Sequence, residues 1–235
     1  MSTAAVMGAV TGAVAGATAA AVATRRRSKA VLVSTIGTTP AVVTEAYNEL
    51  AKRGVEVGHV IVLPTRSRDV EASYTAVKWY FSKHYPGVSV ESMQLEFEDI
   101  RKPEDCKTFR VAFQKALKTA VKRAGGEDGV HVCLAGGRKT MPIDALLVSM
   151  AMGVTNVYHV IAEKIPGVDV QISSLTEEER RALASGGRLP EELESKLEDM
   201  CNPPPEKTGS VYLIRIPVPK LGEEERRRLR EQLLG

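Results

Sequence analysis

From Ala30 onward, runs of apolar, β-branched residues alternate with stretches in which apolar positions recur every three or four residues. AVLVST, GHVIVLP, VSVESMQLEF, GVHVCLA and TNVYHVIA predict strands, and helices are predicted to begin near Pro40, Ser67, Pro103 and Thr140. This alternation predicts an α/β domain over 30–165, built on a doubly wound, mainly parallel sheet with helices on both faces. The first, second and fourth runs are apolar nearly throughout, as expected of central strands covered on both sides. After about Ile165 the rhythm loosens, and residues 166–235 predict a small α+β extension. LTEEERRALASGGRLPEELESKLEDM reads as two short charged helices split at Gly186-Gly187, NPPPEKTG as a turn, SVYLIRIPV as a final strand and EEERRRLREQLL as a solvated helix.

The first 29 residues stand apart. Ser2 to Thr24 carry no charge and end at Arg25-Arg26-Arg27. Gly8, Gly12 and Gly16 have the small-xxx-small spacing of a membrane helix, but Ala, Gly and Thr give a weak transfer energy. A secretory signal fits less well, because the positive charges follow the apolar stretch. The preferred expectation is a flexible Ala/Gly-rich leader, or a start codon assigned too early; a membrane segment is the alternative, with the rest of the chain held in the cytoplasm by Arg25 to Lys29.

Composition narrows the chemistry only slightly. The 235 residues are 43% hydrophobic and 26% charged, enough for one good core. A net charge of +3 suits an anionic ligand but falls short of the dense basic surface of a duplex-DNA binder. Cys106, Cys133 and Cys201 lack metal-ligand or disulfide-framework spacing, so no metal or cofactor is expected and a reducing cytoplasm fits. His59, His84, His131 and His159 are scattered, and surface or strand positions suit them better than ligation.

In a doubly wound sheet, ligands bind outside the carboxyl ends of the strands, where strand order reverses. After the first strand comes STIGTTPAVVTEAYNEL, in which Gly37 permits a tight turn, Thr38 and Thr39 offer hydroxyls and Pro40 suits the start of a helix. After the fourth comes LAGGRKTMP, where Gly136 and Gly137 let the backbone approach a ligand and Arg138, Lys139 and Thr140 stand at a helix entrance. With strand order 3-2-1-4-5 the two loops share one crevice, and two helix N-termini face the same anion. A Walker loop is excluded, because Lys139 follows Arg138 and the earlier glycine is missing; G-x-G-x-x-G is absent after the first strand. The bland alternative is that the glycines only turn the chain and the cations are solvated.

The pair VLVSTIGTTPAVVTEAYNEL and, about a hundred residues later, LAGGRKTMPIDALLVSMAMG resembles the CARF (CRISPR-associated Rossmann fold) family over roughly Ala30 to Glu163. The resemblance implies a Rossmann-like fold and a homodimer whose two crevices bind a cyclic oligoadenylate, the second messenger of type III CRISPR complexes. A ring of four nucleotides matches the twofold symmetry. CARF proteins usually carry an effector. Arg53 and His59 have the spacing of a HEPN ribonuclease but fall between the first helix and second strand, where KRGVEVGH reads as an ordinary turn, and the stretch after Ile165 is short for a nuclease or winged helix. A nearly isolated CARF domain resembles the ring nucleases, which cleave the messenger.

Such cleavage needs no metal, because RNA carries its own nucleophile. In-line attack by a 2′-hydroxyl on the adjacent phosphate gives a 2′,3′-cyclic phosphate if the sugar is oriented and the developing charge is stabilised. Lys139 is the expected charge stabiliser. Thr39, at a family hydroxyl position often held by serine, is expected to orient the 2′-OH, with Thr38 as the fallback. Gly37, Gly136, Gly137, Arg138 and Thr140 are expected to bind the ligand, and Arg66 and Arg68 to hold outer phosphates or to be simply solvated. The alternative is a sensor or regulator that binds without cutting, tethered to a membrane if the leader inserts.

Overall fold

The computed structural model describes residues 28–163, 171–204, 206 and 209–234; the leader expected over 1–29 lies almost wholly outside them, and with it the membrane and start-site readings. Strands β1 (Ala30–Thr35), β2 (Val57–Leu63), β3 (Ser89–Ser92), β4 (Val130–Cys133), β5 (Asn156–Ala162) and β6 (Val211–Ile216) form one sheet in the order β3-β2-β1-β4-β5-β6. All pairs are parallel except β5 with β6. The order across the first five strands is the one on which a crevice shared by the first and fourth loops depends.

Helices α1 (Ala41–Lys52) and α2 (Arg68–His84) cover one face, α3 (Pro103–Ala124) and α4 (Thr140–Ala151) the other. The period-two alternation of β1 divides the core accordingly. Leu32 packs with Val43, Ala46, Leu50 and Phe81, while Val31 and Val33 pack with Phe109, Phe113, Leu117 and Val148. On the first face, α5 (Glu177–Ser185) and α6 (Glu191–Cys201) extend the layer through buried Leu183, Leu193, Leu197 and Met200.

Two expectations need correction. The third strand stops at Ser92 and does not run to Phe97. Beyond Ser92 the chain still follows β2 through Met93 N–H to Val62 O (2.8 Å) and Leu95 N–H to Pro64 O (2.9 Å), but Pro64 has no N–H with which to continue a ladder. The last helix, α7 (Glu223–Leu234), buries no residue fully but is not solvated all round: half-buried Leu233 packs against the second core, Arg110 donates to the Leu233 carbonyl (2.9 Å) and Arg230 to the Ala151 carbonyl (2.8 Å). Its packed side is narrow, with Leu229 and Leu233 one turn apart beside the stems of Arg226 and Arg230, so charge dominates its sequence. Among the described residues no helix is long and apolar enough to cross a membrane.

Candidate functional site

The two loops meet at the carboxyl ends of β1 and β4. β1 ends in buried Ser34 and Thr35, followed by buried Ile36; then the chain opens at Gly37 and re-enters helix at Pro40, whose φ of −65° is already that of α1. From β4 the chain passes Leu134 and buried Gly136, turns through Gly137 at φ 86° and enters α4 behind Lys139. A Cβ on Gly136 would lie 2.5 Å from the Thr35 carbonyl oxygen and 2.6 Å from Ile36 Cα; one on Gly37 would lie 3.1 Å from Gly137 N. The reason for glycine at 136 therefore differs from the one expected: it lets the two loops touch each other.

Beside this contact lies a cavity of about 510 Å³. Of the residues expected at a site it is lined by Gly37, Thr38, Arg68, Gly137 and Arg138. Thr39, Gly136, Lys139, Thr140 and Arg66 do not line it. Thr39 is half-buried just before Pro40, whereas Lys139 and Thr140 stand exposed at the start of α4, on the same loop as Arg138. Lys139 has no ion-pair partner among the described residues, and neither Pro40 nor Lys139 caps its helix with a side chain, so the first N–H groups of α1 and α4 gain no side-chain acceptor.

The other polar lining was not foreseen: Thr65 and Ser67 from the loop before α2, and Glu98, Asp99 and Arg101 from the loop before α3. Met141 closes the floor and is wholly buried. A third helix N-terminus, that of α2, thus joins the two anticipated. The first loop is strapped from above: Ile172 N–H donates to the Thr38 carbonyl (2.9 Å), and Thr38 Oγ1 lies 3.5 Å from Gln171 Oε1. Ile172 is fully buried, which anchors this strap.

The arginines are held by carboxylates from other elements. Arg138 forms a fork with Asp99, Nε to Oδ1 and Nη2 to Oδ2 both at 2.6 Å, and this guanidinium holds the Asp99 carboxyl below its ordinary range. Arg66 pairs with Glu96 and Arg68 with Glu177. Arg101 lines the cavity with no ion-pair partner among the described residues. These residues contain no group of three or more His, Cys, Asp or Glu placed to hold a metal ion. The histidines keep to structure: His59, His131 and His159 lie in strands, and His84 meets Glu198 at 2.8 Å.

A family model described as CRISPR-associated protein NE0113 matches residues 39–233, most of the chain. The chain belongs to this family. The CRISPR system ring nuclease SSO2081 of Saccharolobus solfataricus is 29% identical over 136 residues, covering 56% of this chain and 71% of that protein. Two solved structures are similar at lower levels. Csm6 of Enterococcus italicus, bound to cyclic hexa-2′-fluoro-hexa-dAMP, has a TM-score of 0.46 and 16% identity, covering 87% of this chain and 44% of that one. Protein VC1899 of Vibrio cholerae has a TM-score of 0.42 and 15% identity, covering 55% of this chain and 30% of that one. The chain thus spans less than half the length of either solved protein. Membership of a CRISPR-associated family agrees with the CARF resemblance carried by the two loop motifs.

Proposed function

We propose that the chain is a ring nuclease, which binds a cyclic oligoadenylate over the cavity at the ends of β1 and β4 and opens the ring without a metal. The observation that carries this reading is the convergence of the two motif loops on one cavity, with Arg138, Arg68 and Arg101 and the starts of α1, α2 and α4 around it. Phosphates suit such a setting, because cationic side chains and the positive ends of helix dipoles favour the same charge. The relative named a CRISPR system ring nuclease supports the activity.

In the proposed reaction a ribose 2′-hydroxyl attacks its own 3′-phosphate, the 5′-oxygen of the next nucleotide leaves, and a 2′,3′-cyclic phosphate remains. The protein's task is to hold attacking and leaving oxygens in line and to stabilise the phosphorane. Lys139 is assigned the charge: its ammonium is exposed on the loop of Arg138 and unencumbered by any carboxylate among the described residues. Thr39 or Thr38 orients the sugar. A homodimer supplies the second half of the ring's environment. It is supported by Ile143, a 61%-exposed isoleucine one position beyond Pro142 in the first turns of α4, where an isologous contact would also bring two Lys139 side chains together.

A second reading has an observation of its own. Thr38 alone of the two threonines lines the cavity, its hydroxyl is turned to Gln171, and Lys139 lies outside the lining, an arrangement that suits a binder which does not cut. Incubation of purified protein with cyclic tetra-adenylate in EDTA separates the two. Linear products ending in cyclic phosphate are expected. Tight binding with the ring intact after many hours would replace the enzyme by the sensor.

A further inference from the structure

Resting on the reading above, we propose that Asp99 is an internal anion that competes with a ligand phosphate for Arg138 and so sets the affinity and the release of the cyclic oligoadenylate. Arg138 reaches the cavity from the second motif loop, and Asp99 reaches it from a different segment, the loop before α3. The contact between them uses both carboxylate oxygens and two guanidinium nitrogens at 2.6 Å, which is the fork a phosphate would make with the same group.

Among the described residues Arg138 is held by Asp99 alone, whereas Asp99 also feels the charge of Arg101. Arg138 is exposed, and its guanidinium makes no other hydrogen bond among the described residues. Asp99 has one backbone partner, the N–H of Ile100 (2.9 Å), which keeps its Oδ1 aimed at the cavity when the arginine leaves. A phosphate that takes Arg138 must therefore displace a carboxylate that stays beside it. Once the phosphate departs, the carboxylate re-forms the fork, so exchange is quick in both directions. A site of bare cations would hold its anion longer and, after cleavage, would hold the linear product as well.

The experiment compares wild type, Asp99→Asn and Glu91→Gln by titration with cyclic tetra-adenylate over a range of salt concentrations. Asparagine keeps the shape and the acceptor for Ile100 but removes the charge. Glu91 is the control, since it makes a like fork with Arg123 (2.6 and 2.9 Å) away from the cavity. Asp99→Asn is expected to tighten binding by about two- to fivefold, the scale of one exposed ion pair, to slow product release, and to steepen the salt dependence. The control should do none of these. Unchanged or weaker binding in Asp99→Asn would overturn the proposal and make Asp99 a residue that positions Arg138. Equal tightening in Glu91→Gln would overturn it in favour of net charge. Absence of binding by the wild type would remove the ring-nuclease reading itself, and this inference with it.

Discussion

The two crossovers that make the cavity are built to one plan and finished differently. α1 and α4 each have twelve residues, each follows a glycine-bearing loop from a central parallel strand, and each carries a buried carboxylic acid at its fifth position, Glu45 and Asp144. Around α1 everything is inward: the loop is half-buried, strapped by Ile172 and offers hydroxyls. Before α4, past buried Gly136, the loop turns outward: Gly137, Arg138, Lys139 and Thr140 are exposed, and the loop offers charge. One loop supplies shape and the other supplies the field. The two acids differ in the same sense. Asp144 is answered by Arg110 at 3.1 Å, while Glu45 has no hydrogen bond or ion pair among the described residues, and burial together with nearby Glu49 pushes its carboxyl up to about 7.

The sharpest way to break the comparison is to force the loops apart. Gly136→Val would drive a side chain into the Thr35 carbonyl and Ile36 Cα, and a loss of about 3 kcal/mol is expected in chemical denaturation, because the obstacle is backbone and not a movable side chain. A variant within about 1 kcal/mol of wild type would mean that the loops are not packed as described.

Glu45 gives a pH test with a definite sign. Its folded pKa lies above its unfolded value, so the folded state binds more protons between pH 4.5 and about 7, and stability falls as pH rises through that window. Glu45→Gln should flatten this part of the profile and stabilise the protein at pH 8 by about 1–3 kcal/mol. An unchanged slope would show that Glu45 finds a partner in solution.

The smallest effect belongs to the strap. Thr38→Val removes a hydroxyl whose contact with Gln171 is long, at 3.5 Å, so stability should change by less than about 1 kcal/mol. Messenger affinity should fall only a few-fold if the main-chain bond from Ile172 holds the loop. A loss as large as that of an arginine would make the Thr38 hydroxyl a ligand contact in its own right.

How much of this was legible in the sequence depends on how far apart the partners lie. The strands and first four helices could be read because β-branched runs and periodic apolar positions are local signals. Gly37, Thr38, Gly137 and Arg138 could be read because turn glycines beside hydroxyls and cations follow strands one and four. Asp99 could not: its fork with Arg138 spans 39 residues, and it sits in a stretch whose apolar residues, Met93, Leu95 and Phe97, mimic a strand. The strap on Thr38 spans 133 residues and starts from a segment with no periodic pattern. Such contacts are made by the fold.

The division between shape and field rests most directly on Lys139, and single-turnover cleavage of cyclic tetra-adenylate at saturating protein tests it. Saturation removes affinity and leaves the chemical step. Lys139→Ala is expected to slow that step by about a hundredfold or more, the loss of one preorganised charge, while Arg138→Ala at saturation should cut at nearly the wild-type rate. Cleavage by Lys139→Ala at the wild-type rate would contradict this, and would leave Lys139 as no more than an anchor for phosphate.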